Sequence, residues 1–343
     1  MEMRQNIENT DTKKEPFVSV LTPVYNGEKF LRECIESVLN QDYDNWEYVL
    51  VNNQSTDRSL QIMQEYAEKD SRIRIHNNEE FLPQLENLNH AFRQISPESK
   101  YCKVVHADDW IYPACISKMV EVAEEYSSAG IVGSYRLVGN KVSLDGLPYP
   151  SNFVPGKEIA RKHLLQSFSI FGSPTSILLR SDLIRKREKF YEESLYGTDT
   201  AACLDVLTES DFGFVHQVLT FTRLHEDSIT NTKAKDTYAF IHARLYMQLE
   251  YGPFFLTEEE HKKTLSKKIN LYYVALAKNL LKKRSAKEFR RQLQILGKLG
   301  LRFEKKRFFR NILREIVVDM FKIAGFKIEK YSDKSRKYDF SLY

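Results

Sequence analysis

Phe17-Val-Ser-Val-Leu-Thr22 is a short apolar, β-branched run closed by Pro23, and Gly27 to Asn40 follows it with apolar residues at Phe30, Leu31, Ile35, Val38 and Leu39. The first pattern is that of a buried strand and the second that of one helical face, so the stretch reads as strand, loop and helix. The cycle repeats outward along the chain. Trp46 to Val51 precedes a helical pattern over Asp57 to Lys69, Arg72 to His76 precedes Gln84 to Ile95, and Tyr101 to Val105 precedes Tyr112 to Tyr126. Ile131-Val-Gly-Ser-Tyr135 makes a fifth strand. Strands alternating with helices predict βαβ units, hence an α/β fold with a mostly parallel sheet whose ligand lies outside the strands' carboxyl ends.

The 343 residues are 42% hydrophobic and 12% aromatic, enough for one large domain with an appendage. Cys34, Cys102, Cys115 and Cys203 form no CxxC pair, which points to a reducing compartment without structural zinc. Residues 1–16 are polar and charged and read as a flexible tail rather than a signal peptide, and no uncharged run long enough to span a bilayer follows. A cytoplasmic protein is expected, free or peripheral on the inner face of the membrane. The net charge of +4 hides a division. Residues 261–343 carry 24 Lys and Arg against 7 Asp and Glu, leaving 27 against 40 for residues 1–260. An acidic body with a basic tail suits a polyanionic partner, anionic lipid or nucleic acid.

The chemistry-bearing residues fall at the carboxyl edge of the expected sheet. Tyr101-Cys-Lys-Val-Val-His-Ala-Asp-Asp-Trp110 ends a strand on two adjacent carboxylates, Asp108 and Asp109. There they can hold a hard divalent cation against a phosphate, or serve a turn that caps the next helix. Thr22-Pro-Val-Tyr-Asn-Gly27 follows the first strand, and Tyr25 offers a ring to stack on a base, though a plain Pro-Gly turn fits the same residues. Asn52-Asn-Gln-Ser-Thr-Asp57 follows the second, with amides able to match a pyrimidine edge and with Ser55 or Asp57 suited to cap the next helix. Asn87 and Asn89 lie on the third helix, where amides are ordinarily exposed surface, and Asn87 is a candidate ligand-binding residue.

Pro23-Val-Tyr-Asn, then Asn-Asn-Gln-Ser-Thr-Asp, then Ala-Asp-Asp with Pro113 four residues on, resembles the nucleotide-sugar half of a family 2 inverting glycosyltransferase of the GT-A fold. The resemblance covers residues 17 to about 230. It implies that Pro23, Tyr25 and Asn53 hold a uracil or thymine base, with Asp57 ending the same motif. It also implies that His106, Ala107 and Asp108 stand at the Asp-x-Asp motif, where ribose and a divalent metal, Mn2+ or Mg2+, are bound. Two positions depart from the family pattern: Asn53 replaces an Asp, and His106 replaces the first Asp of Asp-x-Asp. An amide still bonds a base edge and a neutral imidazole still bonds ribose.

Farther along, Phe171-Gly-Ser-Pro-Thr-Ser-Ile-Leu-Leu-Arg180 is similar to the family segment that lines the sugar pocket. Tyr196-Gly-Thr-Asp199 opens a helix where the family carries a Glu-Asp pair, which implies Asp199 as catalytic base with Thr198 in place of the Glu. Taken alone, Asp199 is equally a first-turn carboxylate favoured by the helix dipole. Phe221-Thr-Arg-Leu-His225 resembles the family's Arg-x-His, which implies Arg223 on phosphate and His225 beside Asp108 and Asp109 at the metal.

Residues 17–230 are thus expected to form the transferase domain and 231–343 a basic helical region. Helices are expected over Thr232 to Glu250, Glu258 to Lys283 and Lys287 to Leu301. Phe309, Ile312, Leu313, Ile316, Val317, Met320 and Ala324 then form a stripe opposite Arg310, Arg314 and Lys322, suited either to packing or to an anionic membrane surface. The expected partners are a nucleoside diphosphate sugar and a glycan or lipid-linked acceptor. Two other classes fit parts of the pattern. One is a non-catalytic nucleotide-binding module with a nucleic-acid- or membrane-binding tail, against which the tail lacks ordered aromatic interleaving. The other is a nucleotidyltransferase, against which the glycine-rich loop after the first strand is missing.

Overall fold

The computed structural model describes residues 15–166, 169–193, 198–225, 238–283 and 285–323. Strand and helix alternate as β1 (Val18–Val24), α1 (Leu31–Leu39), β2 (Trp46–Asn52), α2 (Ser59–Ala67), β3 (Ile73–Asn77), α3 (Gln84–Phe92) and β4 (Tyr101–Val104). There follow β5 (Trp110–Ile111), α4 (Cys115–Glu125), β6 (Ala129–Val138), β7 (Lys141–Ser143), β8 (Phe153–Val154) and α5 (Gly156–Gln166). A 3-10 turn (Pro174–Ser176), β9 (Ile177–Arg180), α6 (Ser181–Arg185), α7 (Thr198–Val206) and β10 (Asp211–Thr222) complete the α/β part.

The strands form one sheet in the order β3-β2-β1-β4-β9-β6-β10-β5, with β7 beside β6 and β8 beside β10. β3, β2, β1 and β4 are parallel. β9 runs antiparallel between β4 and β6, which restores β6 and its parallel neighbour β10 to the direction of β4. The carboxyl ends of β1, β2, β4, β6 and β10 therefore open on the same edge. Both faces are covered, which is why the central strands read as continuous apolar runs rather than alternating ones. In β1, Leu21 enters the core on one face while Val18, Val20 and Val24 enter the other. Leu31, Cys34, Ile35 and Val38 put one face of α1 on that second core. Each such aliphatic side chain is worth about 1.5–3 kcal/mol on burial.

The helix expected from Tyr112 begins only at Cys115. Trp110 and Ile111 are taken up by β10, and Pro113 biases Tyr112 away from helical backbone. Tyr196 and Gly197, and the first six residues of the helix expected from Thr232, lie outside the described residues.

Helices α8 (Ala239–Glu250), α9 (Gly252–Phe255), α10 (Glu258–Lys283), α11 (Ala286–Lys298) and α12 (Lys305–Ile323) follow. Met247, Tyr251 and Phe255 share a core with Leu164 and Phe190, and Arg161 pairs with Glu260, so α8 to α10 rest on the sheet's helical layer. Lys268 on α10 reaches the Leu164 carbonyl at 3.2 Å, and burial pushes its ammonium down to about 7. Ser285 caps α11 by accepting the Glu288 N–H, and Glu288 at the third helical position completes a Ser-x-x-Glu start. On α12 the inward face is Phe308, Asn311, Ile312 and Glu315. Phe309, Leu313, Ile316, Val317, Met320 and Phe321 face outward, with 38% to 64% of their surface exposed. The apolar stripe expected from the sequence is therefore split: Ile312 packs, most of its neighbours do not, and Ala324 lies outside the described residues.

Candidate active site

The first two loops of the sheet edge are stapled to each other. Asp57 accepts the Glu28 N–H at 3.0 Å and the Ser59 N–H at 2.9 Å. Burial raises its pKa, but these hydrogen bonds outweigh burial and hold the carboxyl below its ordinary range. Gly27 and Asn26 donate to Ser59 Oγ (2.8 Å) and Ser55 Oγ (3.1 Å), and Asn26 Oδ1 accepts the Thr56 N–H. Pro23 is the last residue but one of β1, and Tyr25, just after the strand, is half-exposed.

The amides turn inward instead of facing the crevice. Asn53 Nδ2 donates to the Leu82 carbonyl (2.8 Å), and its Oδ1 accepts from the Leu82 N–H (2.9 Å) and from Asn78 Nδ2 (2.8 Å). Asn78 also donates to Asn87 Oδ1 at 2.9 Å. Asn87, expected on an exposed helical surface, is buried because α3 turns that face to the 78–82 loop. Asn89 is buried as well, clamping the backbone of Phe190 and Tyr191. The loop so held presents Phe81, whose ring stands 4.9 Å from Tyr25, edge to face, and is half-exposed like it. The sequence reading did not single out Phe81; its signal is a lone aromatic in a polar loop beside Pro83.

The third loop carries His106 to Asp109, closed by the Asp109 N–H on the His106 carbonyl. The two carboxylates divide. Asp108 remains part-exposed, and its Oδ2 lies 2.9 Å from His225 Nε2. Asp109 is buried, accepting the Thr175 hydroxyl (2.8 Å) and the Arg223 N–H (3.1 Å). Burial, then the neighbouring Asp108 charge, pushes the Asp109 carboxyl up. Arg223 leaves the end of β10, donates from Nε to the Asp108 carbonyl (3.1 Å) and pairs with Glu33 at 2.5 Å. Its guanidinium lies 4.2 Å from the Phe30 ring and 5.1 Å from that of Trp110, which stacks on Phe221 at 3.7 Å.

Asp199 occupies the first turn of α7, partly buried, close enough to bear on the Tyr191 hydroxyl and the Cys203 thiol. The segment from Phe171 reaches the same edge through Gly172, whose φ of +70° suits glycine, and through the 3-10 turn into β9.

Among the described residues no group of three or more His, Cys, Asp or Glu has metal-binding geometry. The Asp108–His225 pair still suits a divalent ion. Two cis ligands about 2.1 Å from an octahedral ion stand ~3 Å apart, the spacing of these two atoms, and substrate phosphates commonly fill the other positions.

A sequence model described as "Glycosyl transferase family 2" matches residues 19–187. Residues 19–187 belong to glycosyltransferase family 2. Among its relatives is an uncharacterized glycosyltransferase of Haemophilus influenzae, 27% identical over 52% of this chain and 56% of that protein. This chain thus spans little more than half the length of that relative. Another is the GalNAc(5)-diNAcBac-PP-undecaprenol beta-1,3-glucosyltransferase of Campylobacter jejuni, 25% identical over 77% of this chain and 84% of that protein. Among solved structures, S. aureus TarS 1-349 in complex with UDP-GlcNAc superposes with a TM-score of 0.63 at 17% identity, covering 93% of this chain and 95% of that one. A match that long takes in the C-terminal helices as well as the family 2 sheet.

Proposed function

We propose that this family 2 protein transfers a sugar from a uridine or thymidine diphosphate sugar to a hydroxyl of a glycan or lipid-linked acceptor, inverting the anomeric centre. The observation that carries the reading is the 2.9 Å approach of Asp108 Oδ2 and His225 Nε2, with Arg223 beside them, from loops that leave the carboxyl ends of β4 and β10. The names of the relatives support the substrates: TarS was crystallised with UDP-GlcNAc, and the C. jejuni protein is named for a PP-undecaprenol glycan.

Tyr25 and Phe81 flank the base, and Asn53, Asn87 and Asp57 act on it by fixing the loops that carry those rings. His106 and Ala107 line the ribose. Asp108 and His225 hold Mn2+ or Mg2+, Asp109 orients their loop, and the ion when bound neutralises the charge that develops on the leaving diphosphate. Arg223 adds fixed positive charge at the same oxygens. Asp199 takes the proton of the acceptor hydroxyl as that oxygen attacks the face opposite the leaving group. A single displacement of this kind inverts configuration. Incubation with an α-linked UDP-sugar and acceptor, followed by NMR of the product, is expected to give a β linkage; an α-linked product contradicts the single displacement.

We place the enzyme at the inner face of the membrane through α12. No described helix is long and apolar enough to cross a bilayer. The outward apolar face of α12 is instead flanked by exposed Lys305, Lys306, Arg310 and Arg314, the composition of an interfacial helix. Each cation near an anionic surface adds about 1 kcal/mol. Co-sedimentation with phosphatidylglycerol-rich vesicles is expected to be strong, to weaken with salt, and to fall when Leu313 and Val317 are replaced by Asp; equal sedimentation with neutral vesicles excludes this placement.

A further inference from the structure

Lys103 sits in the middle of β4, wholly buried, a position where an ammonium is costly unless its hydrogen bonds are made. Its Nζ donates to the Thr175 carbonyl at 2.6 Å and to the Ile177 carbonyl at 3.2 Å, and touches Met119 Sδ at 3.6 Å. These bonds pin the 3-10 turn to the central strand. Thr175, equally buried, is then fixed at its other end. Its hydroxyl donates to Asp109 Oδ2 (2.8 Å) and accepts the His106 N–H (3.1 Å), so both hydroxyl roles are filled and its rotamer is determined. From Asp109 the contacts continue through the Arg223 N–H to the strand end that carries His225. The chain of bonds joins three loops, at 106–109, 173–176 and 223–225, through the buried Lys103, Thr175 and Asp109.

We propose that Lys103 and Thr175 are positioning residues, which set Asp108 and His225 at the spacing that a metal-bound nucleoside diphosphate requires. The inference rests on the function proposed above. Lys103 and Thr175 touch neither donor nor metal; they act through His106 and Asp109. Outer partners of this kind change metal affinity because they fix ligand orientation before the ion arrives. Lys103 and Asp109 thus hold the same residue from two sides, Lys103 Nζ on the Thr175 carbonyl and Asp109 Oδ2 on the Thr175 hydroxyl. By the same links the turn at 173–176, within the segment expected to line the sugar pocket, cannot shift without moving the loop that carries Asp108.

The test is calorimetric titration of UDP into the full chain, with and without saturating Mn2+, for wild type, Thr175→Val, Thr175→Ser and Lys103→Met, each with its thermal midpoint. Thr175→Val keeps the shape of the side chain and removes the hydroxyl. It is expected to weaken UDP binding in the presence of Mn2+ by about 10- to 100-fold, the usual effect of losing an outer partner, while binding without metal stays at the wild-type level. Thr175→Ser restores the hydroxyl and is expected to recover most of the affinity, and Lys103→Met is expected to follow Thr175→Val. Wild-type affinity in Thr175→Val, or losses of equal size with and without Mn2+, overturns the proposal while leaving the transferase reading intact. Failure of both Thr175→Val and Lys103→Met to fold also overturns it, since the network then serves the core alone. A wild-type protein that binds no UDP overturns both readings.

Discussion

Asp199→Asn is expected to lower sugar transfer by about 100- to 10,000-fold while UDP affinity stays within about twofold of wild type, the range by which a positioned acid or base contributes. The two roles open to Asp199 differ in magnitude, which makes the experiment decisive. As a first-turn carboxylate it would supply about 0.3–1 kcal/mol of helix stability through the dipole, and its loss would leave turnover per folded molecule unchanged. As the group that takes the acceptor's proton it supplies about 3–5 kcal/mol of the barrier. Asn keeps the shape and much of the first-turn hydrogen bonding, so the fold of α7, anchored by Ala201, Ala202, Cys203 and Leu204 in the core, is retained. Steady-state transfer, UDP calorimetry and a thermal scan on one preparation separate the cases. Normal turnover with a slightly lowered midpoint returns Asp199 to the dipole role.

The fold was legible because its signals are local and repeated. The runs at Val18, Trp46, Ile73 and Tyr101 are rich in apolar and β-branched residues, and a helical period follows each, so the direction of four strands and the position of their carboxyl edge could be read directly. The antiparallel insertion of β9 could not. Ile177-Leu-Leu-Arg180 carries no mark of direction, and its place between β4 and β6 depends on contacts distant in sequence. The late start of α4 follows from Pro113 together with a two-residue strand too short to read.

At the site, the residue types were legible and their orientation was not. Asp108, His225 and Arg223 meet as the Asp-x-Asp and Arg-x-His resemblance implies. Asn53, expected at the base edge, bonds the Leu82 backbone, and Asn87 accepts from Asn78, since an amide satisfies itself as well on the protein as on a ligand and no sequence pattern distinguishes the two. The doublet at Asp108 and Asp109 splits for a similar reason: adjacent residues at a turn point in different directions, and only one of them finds Thr175. Lys103 did leave a sign. A charged residue inside the run Tyr101 to Val105 breaks its apolar character, and almost fully buried lysines are seldom found without a partner.

Removing Asp108 has the second of the two largest expected effects. Its carboxylate is the exposed, anionic half of the pair with His225, so Asp108→Ala leaves a lone imidazole and costs the electrostatic stabilisation of the leaving diphosphate. Transfer is expected to fall by about 100- to 1000-fold, as when one preorganised charge-stabilising group is deleted. Because the side chain is part-exposed and, among the described residues, bonds His225, the fold is expected to be little affected. The most direct measurement of the whole account is therefore calorimetry of UDP binding to wild type and Asp108→Ala, each with and without Mn2+. The account predicts tight binding only for wild type with Mn2+ and weak, metal-independent binding for the variant; equal affinity in all four titrations would contradict it.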